Sequence, residues 1–309
     1  METSPRQLTP ELFQPVGEDF KDYERIAGPS IGFWRDSWQR FKKNRASLVG
    51  LVVIVALVVT AYVAPLLVPY SPYAQDMTKG YLGTSAEHLM GTDKFGRDMF
   101  VRVWEGMRVS LYIALLAAFF DLAIGVPFGA ISGLLGGKID GVMQRIIEIL
   151  NGIPNLVIAI LVMLVLNPGI VTISVAIGIA GWTSMARIIR GRVMQLRDQE
   201  FTLAARSLGA GRRRILSKHL LPNSLGLIII TLMLTIPSAI FYEAVLSFIG
   251  LGIQVPKASL GSLINDGYQE LRFHSYLLWF PAAVFSLLML SFNLLADGLR
   301  DALDPRMRK

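Results

Sequence analysis

Six stretches of about 20 mainly apolar residues dominate this chain, and each is long enough to cross the hydrocarbon core of a bilayer as a helix. They cover residues 46–68, 109–131, 142–166, 170–186, 225–250 and 278–296. The expected fold class is therefore all-α: a polytopic membrane protein with six transmembrane helices. Composition agrees, with 53% hydrophobic residues, 17% charged residues and a mean hydropathy of +0.50; a soluble domain carries about 25% charge. The chain has no cysteine, which excludes disulfide scaffolds, thiolate metal sites and cysteine nucleophiles. Its three histidines, His88, His219 and His274, are far apart in sequence. No metal site is expected, and no catalytic residues.

Lysine and arginine placement sets the orientation. With both termini inside, the inner segments hold 23 of the 30 basic residues. The formal charge of +7 thus concerns the inner membrane face, not nucleic acid. The long loop over residues 69–108 is expected outside the membrane, where acidic residues match its lysines and arginines. Residues 1–45 read as a cytoplasmic tail. Its last part, with Trp34, Trp38 and Phe41 among Arg35, Arg40, Lys42, Lys43 and Arg45, is an amphipathic lead-in to the first span. The first apolar run starts too late and is too long for a cleavable signal. The core is read over residues 109–300, spans two to six, and residues 301–309 form a cytoplasmic C-terminus. There is no short repeat, low-complexity tract or heptad run.

The most informative segment lies between spans four and five, within residues 190–222. It is too polar to span and too periodic for a plain loop. Phe201, Ala204, Ala205 and Leu208 fall at helical spacing, which makes one face apolar. Gly209-Ala210-Gly211 breaks that helix, and Gly209 permits a sharp turn with positive φ. Ile215, Leu216 and His219 then start a second helix, and Pro222 suits entry into span five. A helix-turn-helix with an alanine face is a docking knob. The chain carries no G-x-x-x-x-G-K-[ST] loop to power transport itself, so the knob points to a separate motor.

The segment resembles the cytoplasmic motif of ABC importer permeases: a Glu-Ala-Ala triplet, a glycine four residues on, and a Leu-Pro pair a dozen residues later. Ala204, Ala205, Gly209, Leu221 and Pro222 match. Leu203 stands where Glu is typical and His219 where Ile is typical. Both departures resemble the peptide branch, with Leu-Ala-Ala and His-x-x-Pro-Asn (His219, Pro222, Asn223). Three more stretches are similar to that branch: Gly91-Thr-Asp-Lys-Phe-Gly-Arg-Asp98, Leu246-Ser-Phe-Ile-Gly-Leu-Gly252, and the run from Asp297 to Pro305. The likeness covers nearly the whole chain after Phe33. It is strongest to the second permease of oligopeptide systems, with its extended N-terminus.

The resemblance implies a type I ABC importer permease fold in a bacterial cytoplasmic membrane. It implies a second, homologous permease as heterodimer partner, two cytoplasmic ABC ATPases, an extracytoplasmic peptide-binding protein, and a peptide cargo. ATP and Mg would sit on the ATPases and no cofactor on this chain. The coupling residues would be Leu203, Ala204, Ala205, Ser207, Leu208, Gly209, Ala210, His219, Leu221 and Pro222. Dipeptides and nickel complexes are alternative cargoes within this reading. The alternative from another class is an ATP-independent channel or secondary transporter. A membrane enzyme lacks support, since no H-E-x-x-H or G-x-S-x-G motif occurs.

Other residues carry two readings each. Asp121, midway along span two, is costly in lipid and is either a substrate-path contact or a hydrogen bond to another helix. Glu243 near the outer end of span five is a candidate path residue, and Asn293 in span six a path residue or helix–helix contact. Asp93, Arg97 and Asp98 either dock the binding protein or form an internal salt-bridged loop.

Overall fold

A computed structural model of the chain describes residues 32–166 and 169–303. Most of the tail, the Asn167-Pro168 pair and the final residues from 304 lie outside that range. Among the described residues every regular element is helical apart from one isolated bridge, Thr92 to Asp98.

The lead-in is helix α1, Phe33–Lys43. Phe41 is buried, whereas Trp34 and Trp38 are exposed beside the basic residues. A corner follows at Asn44, whose side chain accepts the Ser47 N–H and so caps α2, Arg45–Val63. The outward face of α2 is mainly valine, with Val49, Val52, Val55, Val59 and Val63 exposed, as a lipid-facing helix requires. Its inner face packs on the last helix through Gly50, where an added Cβ would lie 2.8 Å from the Ser291 carbonyl oxygen.

The second span is longer than expected. Helix α3, Met99–Phe120, begins ten residues before the predicted start. Asp98 accepts the Val101 N–H as its N-cap. The helix passes through a π-turn at Asp121–Gly125 and continues as α4, Val126–Leu135. The cause of the π-turn sits just beyond it: Pro127 has no N–H to give to the carbonyl four residues back, and its ring would collide with that carbonyl. Widening one turn relieves both.

The predicted third span, 142–166, is two helices. Helix α5, Gly137–Asn151, and α6, Asn155–Val165, are bent from one another by 79°. Gly152, Ile153 and Pro154 make the break, because Pro154 cannot extend α5 and instead precedes the first turn of α6. At about 1.5 Å per residue α6 alone covers roughly half a bilayer core. Five helices among the described residues are long and apolar enough to cross a membrane, and the bent pair makes a sixth crossing if it is one span.

Helix α7, Ile170–Arg197, carries the fourth span on past its predicted end at residue 186. The coupling segment follows as α8, Glu200–Ser207, and the short α9, Arg212–Ile215. A second π-turn, Leu216–Leu220, again lies just before a proline, Pro222. Helix α10 is Leu225–Phe248. Helix α11, Leu260–Gln269, lies where the sequence reading had only loop, and α12 is Tyr276–Leu303.

The tightest packing joins α3–α4 to α7, and the two run parallel. Gly125, Gly129 and Gly133 recur every four residues and so share one face of α4. An added Cβ on Gly129 would lie 2.2 Å from the Ala186 carbonyl oxygen, and one on Gly133 2.7 Å from that of Arg190. From the other side, Gly178 meets Phe120 and Gly181 meets Asp121. Without a hydrophobic effect between lipid-immersed helices, close backbone approach of this kind supplies the dispersion energy that holds them.

Gly129→Val should cost about 1–3 kcal/mol, because the obstacle is backbone and cannot rotate away. Gly191→Ala, which meets nothing within 4 Å, should be near neutral. Melting of the purified variants in detergent tests the pair; an unshifted Gly129→Val would mean the seam is looser than drawn.

Candidate functional site

The coupling segment is built as a capped knob. Thr202 is buried and donates to the Leu196 carbonyl, which ties α8 to the end of α7. At the other end of α8 the Gly209 N–H reaches the Arg206 carbonyl and the Ala210 N–H reaches that of Ala205. With Gly209 at φ +85, this is a complete Schellman termination, and glycine occupies the left-handed position that L side chains resist. The expected positive φ is thus found. Phe201, Leu203 and Leu208 all face outward, Leu208 at 89% exposure. Ala204 and Ser207 are exposed and Ala205 half-buried.

The return arm does the reverse. Ile215, Leu220 and Ile228 bury themselves against Val126, Met185, Ile189 and Val193 on the α4–α7 seam. His219 and Leu221 are half-buried and Pro222 is exposed. Asn223 donates to the His219 carbonyl, which closes the turn into α10. The knob is therefore anchored to α4, α7 and α10 while its apolar crown is free. Nearby, Arg190 grips Asp140 with two 2.6 Å bonds and Arg197 donates to the Gly133 carbonyl. The first contact locks α5, and the second α4, to the same end of α7.

Along α7 from the knob, a cavity of about 340 Å³ opens between α3, α6, α7 and α10. Asp121 lines it, at the first position of the π-turn. Its carboxylate accepts a 3.1 Å bond from Thr235 on α10 and faces Gly181 on α7. Asn293 is exposed on α12 and borders a neighbouring cleft shared with Leu234, Ser238 and Tyr242.

Glu243 lies elsewhere than a path residue would. It is 0% exposed and does not border the cavity. Ser110, Ser247 and Ser259 donate to its carboxylate at 3.0, 2.8 and 2.5 Å, together with the Gly261 N–H. Ser110 in turn accepts the Leu260 N–H. Glu243 thus faces the N-terminus of α11, where helix polarity favours a carboxylate, and it clamps α3, α10 and α11 together.

Asp93, Arg97 and Asp98 are spent inside their own loop, in keeping with the internal salt-bridge reading rather than a surface for docking. Arg97 is 2% exposed and donates to Asp93 at 2.7 Å; Asp98 bonds His88 at 2.8 Å and caps α3. Gly91 and Gly96 both have positive φ, and a Cβ on Gly96 would strike the Asp76 carbonyl. Tyr276 pins the loop through the Thr92 carbonyl, and Tyr81 donates to Glu270 at 2.8 Å. That bond helps push the Tyr81 phenol up to about 12.

This helical plan and its knob have known counterparts. A family model described as "Binding-protein-dependent transport system inner membrane component" matches residues 125–309, and one for the "N-terminal TM domain of oligopeptide transport permease C" matches residues 32–83. The chain belongs to the binding-protein-dependent inner membrane components. It is 45% identical over 304 residues to the dipeptide transport system permease protein DppC of Bacillus subtilis, covering 98% of this chain and 95% of that one. The oligopeptide transport system permease protein OppC of the same organism is 43% identical, covering 98% and 100%. The OppC of Escherichia coli K12 is 40% identical over 296 residues, covering 94% and 96%. Among solved structures, an inward-facing MetNI methionine ABC transporter shares the fold at TM-score 0.55 and 19% identity, covering 67% of this chain and 98% of that one.

Within this inner membrane component the family match begins at Gly125, inside the π-turn, and includes the glycine seam and the knob. Sequence reasoning missed that seam although its four-residue glycine spacing is printed in the chain. It also missed the serines around Glu243: Ser247 is one turn away on α10, but Ser110 and Ser259 come from other elements and no local pattern marks them. Glu243→Ala would strand those donors in a dry site and should destabilise the protein by about 3 kcal/mol. Glu243→Gln, which keeps one acceptor oxygen, should cost less than half as much. Chemical or thermal unfolding in detergent reads the difference, and equal losses for the two variants would refute the clamp.

Proposed function

We propose that the chain is a transmembrane subunit of an ATP-binding-cassette importer that moves peptides across the bacterial cytoplasmic membrane by alternating access. The observation that carries this is the α8 knob: an apolar crown of Phe201, Leu203 and Leu208 held outside the bilayer on a rigid, buried base. The chain has no phosphate-binding loop of its own, so ATP and Mg bind partner ATPases that dock on this crown. Leu203, Ala204, Ala205, Ser207, Leu208, Gly209 and Ala210 form the contact, with His219, Leu221 and Pro222 setting the return into α10.

Family membership supports a second permease as heterodimer partner and an extracytoplasmic binding protein that delivers cargo. The relatives' transport of dipeptides and oligopeptides, as their names state it, supports peptide cargo, and the match to the oligopeptide permease N-terminal model favours oligopeptides. Asp121, and beyond it Asn293, lie on the proposed substrate path. Lysine and arginine bias places both termini and the knob in the cytoplasm.

ATP binding supplies differential affinity for one of two states. Closing the motor pair draws the knobs together. Because α8 is tied to α7 through Thr202, and Ile215 and Leu220 are buried on α4 and α7, that movement passes into the helices that wall the cavity. The cavity then changes the side to which it opens, and hydrolysis reverses the change.

Two experiments test this. Gly209→Val forces a β-branched residue into a left-handed position, at about 1–2 kcal/mol. It should lower peptide uptake about tenfold while ATP hydrolysis by the assembled complex persists. Undiminished uptake counts against the knob. The absence of native cysteine allows single replacements at Ser217 and Thr84 to report orientation. An impermeant maleimide applied to whole cells should modify Thr84→Cys and spare Ser217→Cys; the opposite pattern inverts the protein.

A further inference from the structure

The face of the cavity formed by Asp121 and α10 offers mainly hydrogen-bond acceptors. Asp121 is buried at 5% exposure yet lines the space, at the π-turn that Pro127 imposes. Its one side-chain donor is Thr235. Opposite, Gly181 leaves room that a side chain would fill, since its Cβ would sit 3.0 Å from the carboxylate oxygen. Two more hydroxyls on the same stripe of α10 border the cavity, and each has already donated its proton along the helix. Thr231 donates to the Leu227 carbonyl at 2.8 Å and Ser238 to that of Leu234 at 2.9 Å. A hydroxyl that has given its single proton has only lone pairs left. Thr231, Thr235 and Ser238 therefore form a run of acceptors about 10 Å long beside a carboxylate.

No lysine, arginine or histidine lines the cavity among the described residues. A carboxylate in lipid without a cationic partner is expensive, so an incoming cation with several N–H donors would bring the positive charge that the wall lacks. A primary ammonium carries three donors and no acceptor. Elsewhere the wall is mainly apolar, with Ala117, Ile177 and Leu246 among its residues and Asn155, Ser184 and Tyr242 as uncharged polar ones, and it suits uncharged atoms beyond that ammonium. At about 340 Å³ the cavity falls at the small end of the ~300–1,000 Å³ usual for small-molecule sites.

We propose that Asp121, with Thr231, Thr235 and Ser238, is a subsite for a primary ammonium group on the cargo. For a peptide, the reading on which this rests, that group is the α-ammonium or a lysine side chain. Bound there, the ammonium pairs with Asp121 and fills the acceptor run, while the apolar wall takes the adjoining carbon chain. The subsite would be occupied during passage, so its grip must be modest enough to release cargo when the helices move.

The test uses the full complex with its second permease and ATPases in proteoliposomes. Dicyclohexylcarbodiimide labels a carboxyl group in an apolar setting, and mass spectrometry locates the label on Asp121. Trialanine and n-butylammonium should each slow that labelling about tenfold, the value of one charge-assisted contact, whereas N-acetyl-trialanine should not. Comparing trialanine with N-acetyl-Ala-Lys-Ala separates the α-ammonium from a side-chain ammonium. Asp121→Asn keeps an oxygen for Thr235 and nearly the same shape. It should raise the trialanine concentration for half-maximal uptake about tenfold while maximal ATP hydrolysis holds. Equal protection by the acetylated peptide, no protection by any amine, or unchanged uptake by Asp121→Asn would each overturn the subsite. Protection by n-butylammonium without protection by trialanine would support the subsite and remove the peptide reading instead.

Discussion

Backbone-to-backbone contact between α3–α4 and α7 is the constraint from which the rest follows. Gly125, Gly129 and Gly133 bring one helix onto the carbonyl edge of the other, and Gly178 and Gly181 answer from the opposite side. In lipid there is no gain from hiding apolar surface between helices, so shape must do the holding. Because the two helices run parallel, one end of the seam carries the knob and the middle carries the cavity. Ile215, Leu220 and Ile228 find their burial on the first, and Asp121 finds its open space beside the second.

Irregularity enters this rigid frame at prolines. The π-turn at Asp121–Gly125 precedes Pro127, and that at Leu216–Leu220 precedes Pro222. In lipid a freed carbonyl is tolerated only where neighbouring structure or a cavity satisfies it, and both turns are placed accordingly, one beside the cavity and one against the packed base of the knob. The bend at Pro154 turns α5 away from α6, where Asp140 can reach Arg190. Pro237 and Pro281 sit within α10 and α12 without interrupting them, so a proline alone does not decide the outcome; the packing around it does.

The spans and the knob were legible in the sequence because each rests on local periodicity. Phe201, Ala204, Ala205 and Leu208 announce a helix whatever surrounds them, and Gly209 announces its end. The ends of helices were harder. Met99–Arg108 and Arg187–Arg197 are polar enough to read as loop, yet they continue α3 and α7 beyond the bilayer because capping and tertiary contact, not lipid, sustain them there. Helix α11 was missed for the same reason: its ten residues are held by a Ser259 capping box and by Glu243, a partner 17 residues upstream of its first residue. A charged loop such as that around Asp93, Arg97 and Asp98 looks alike in sequence whether its charges face water or one another. Only the positive φ of Gly91 and Gly96 folds them inward. Asp121 was recognised as costly, but nothing local revealed that Thr231, Thr235 and Ser238 of α10 border its cavity.

The bare crown of α8 also bears on how a cell must handle this subunit. On the docking proposed above, Phe201, Leu203 and Leu208 stand in water on any copy without its ATPase, and apolar surface so displayed invites capture by proteases and chaperones or clumping with other copies. Matched synthesis of the companion chains would then be a requirement of solubility as well as of transport, and surplus copies would be short-lived.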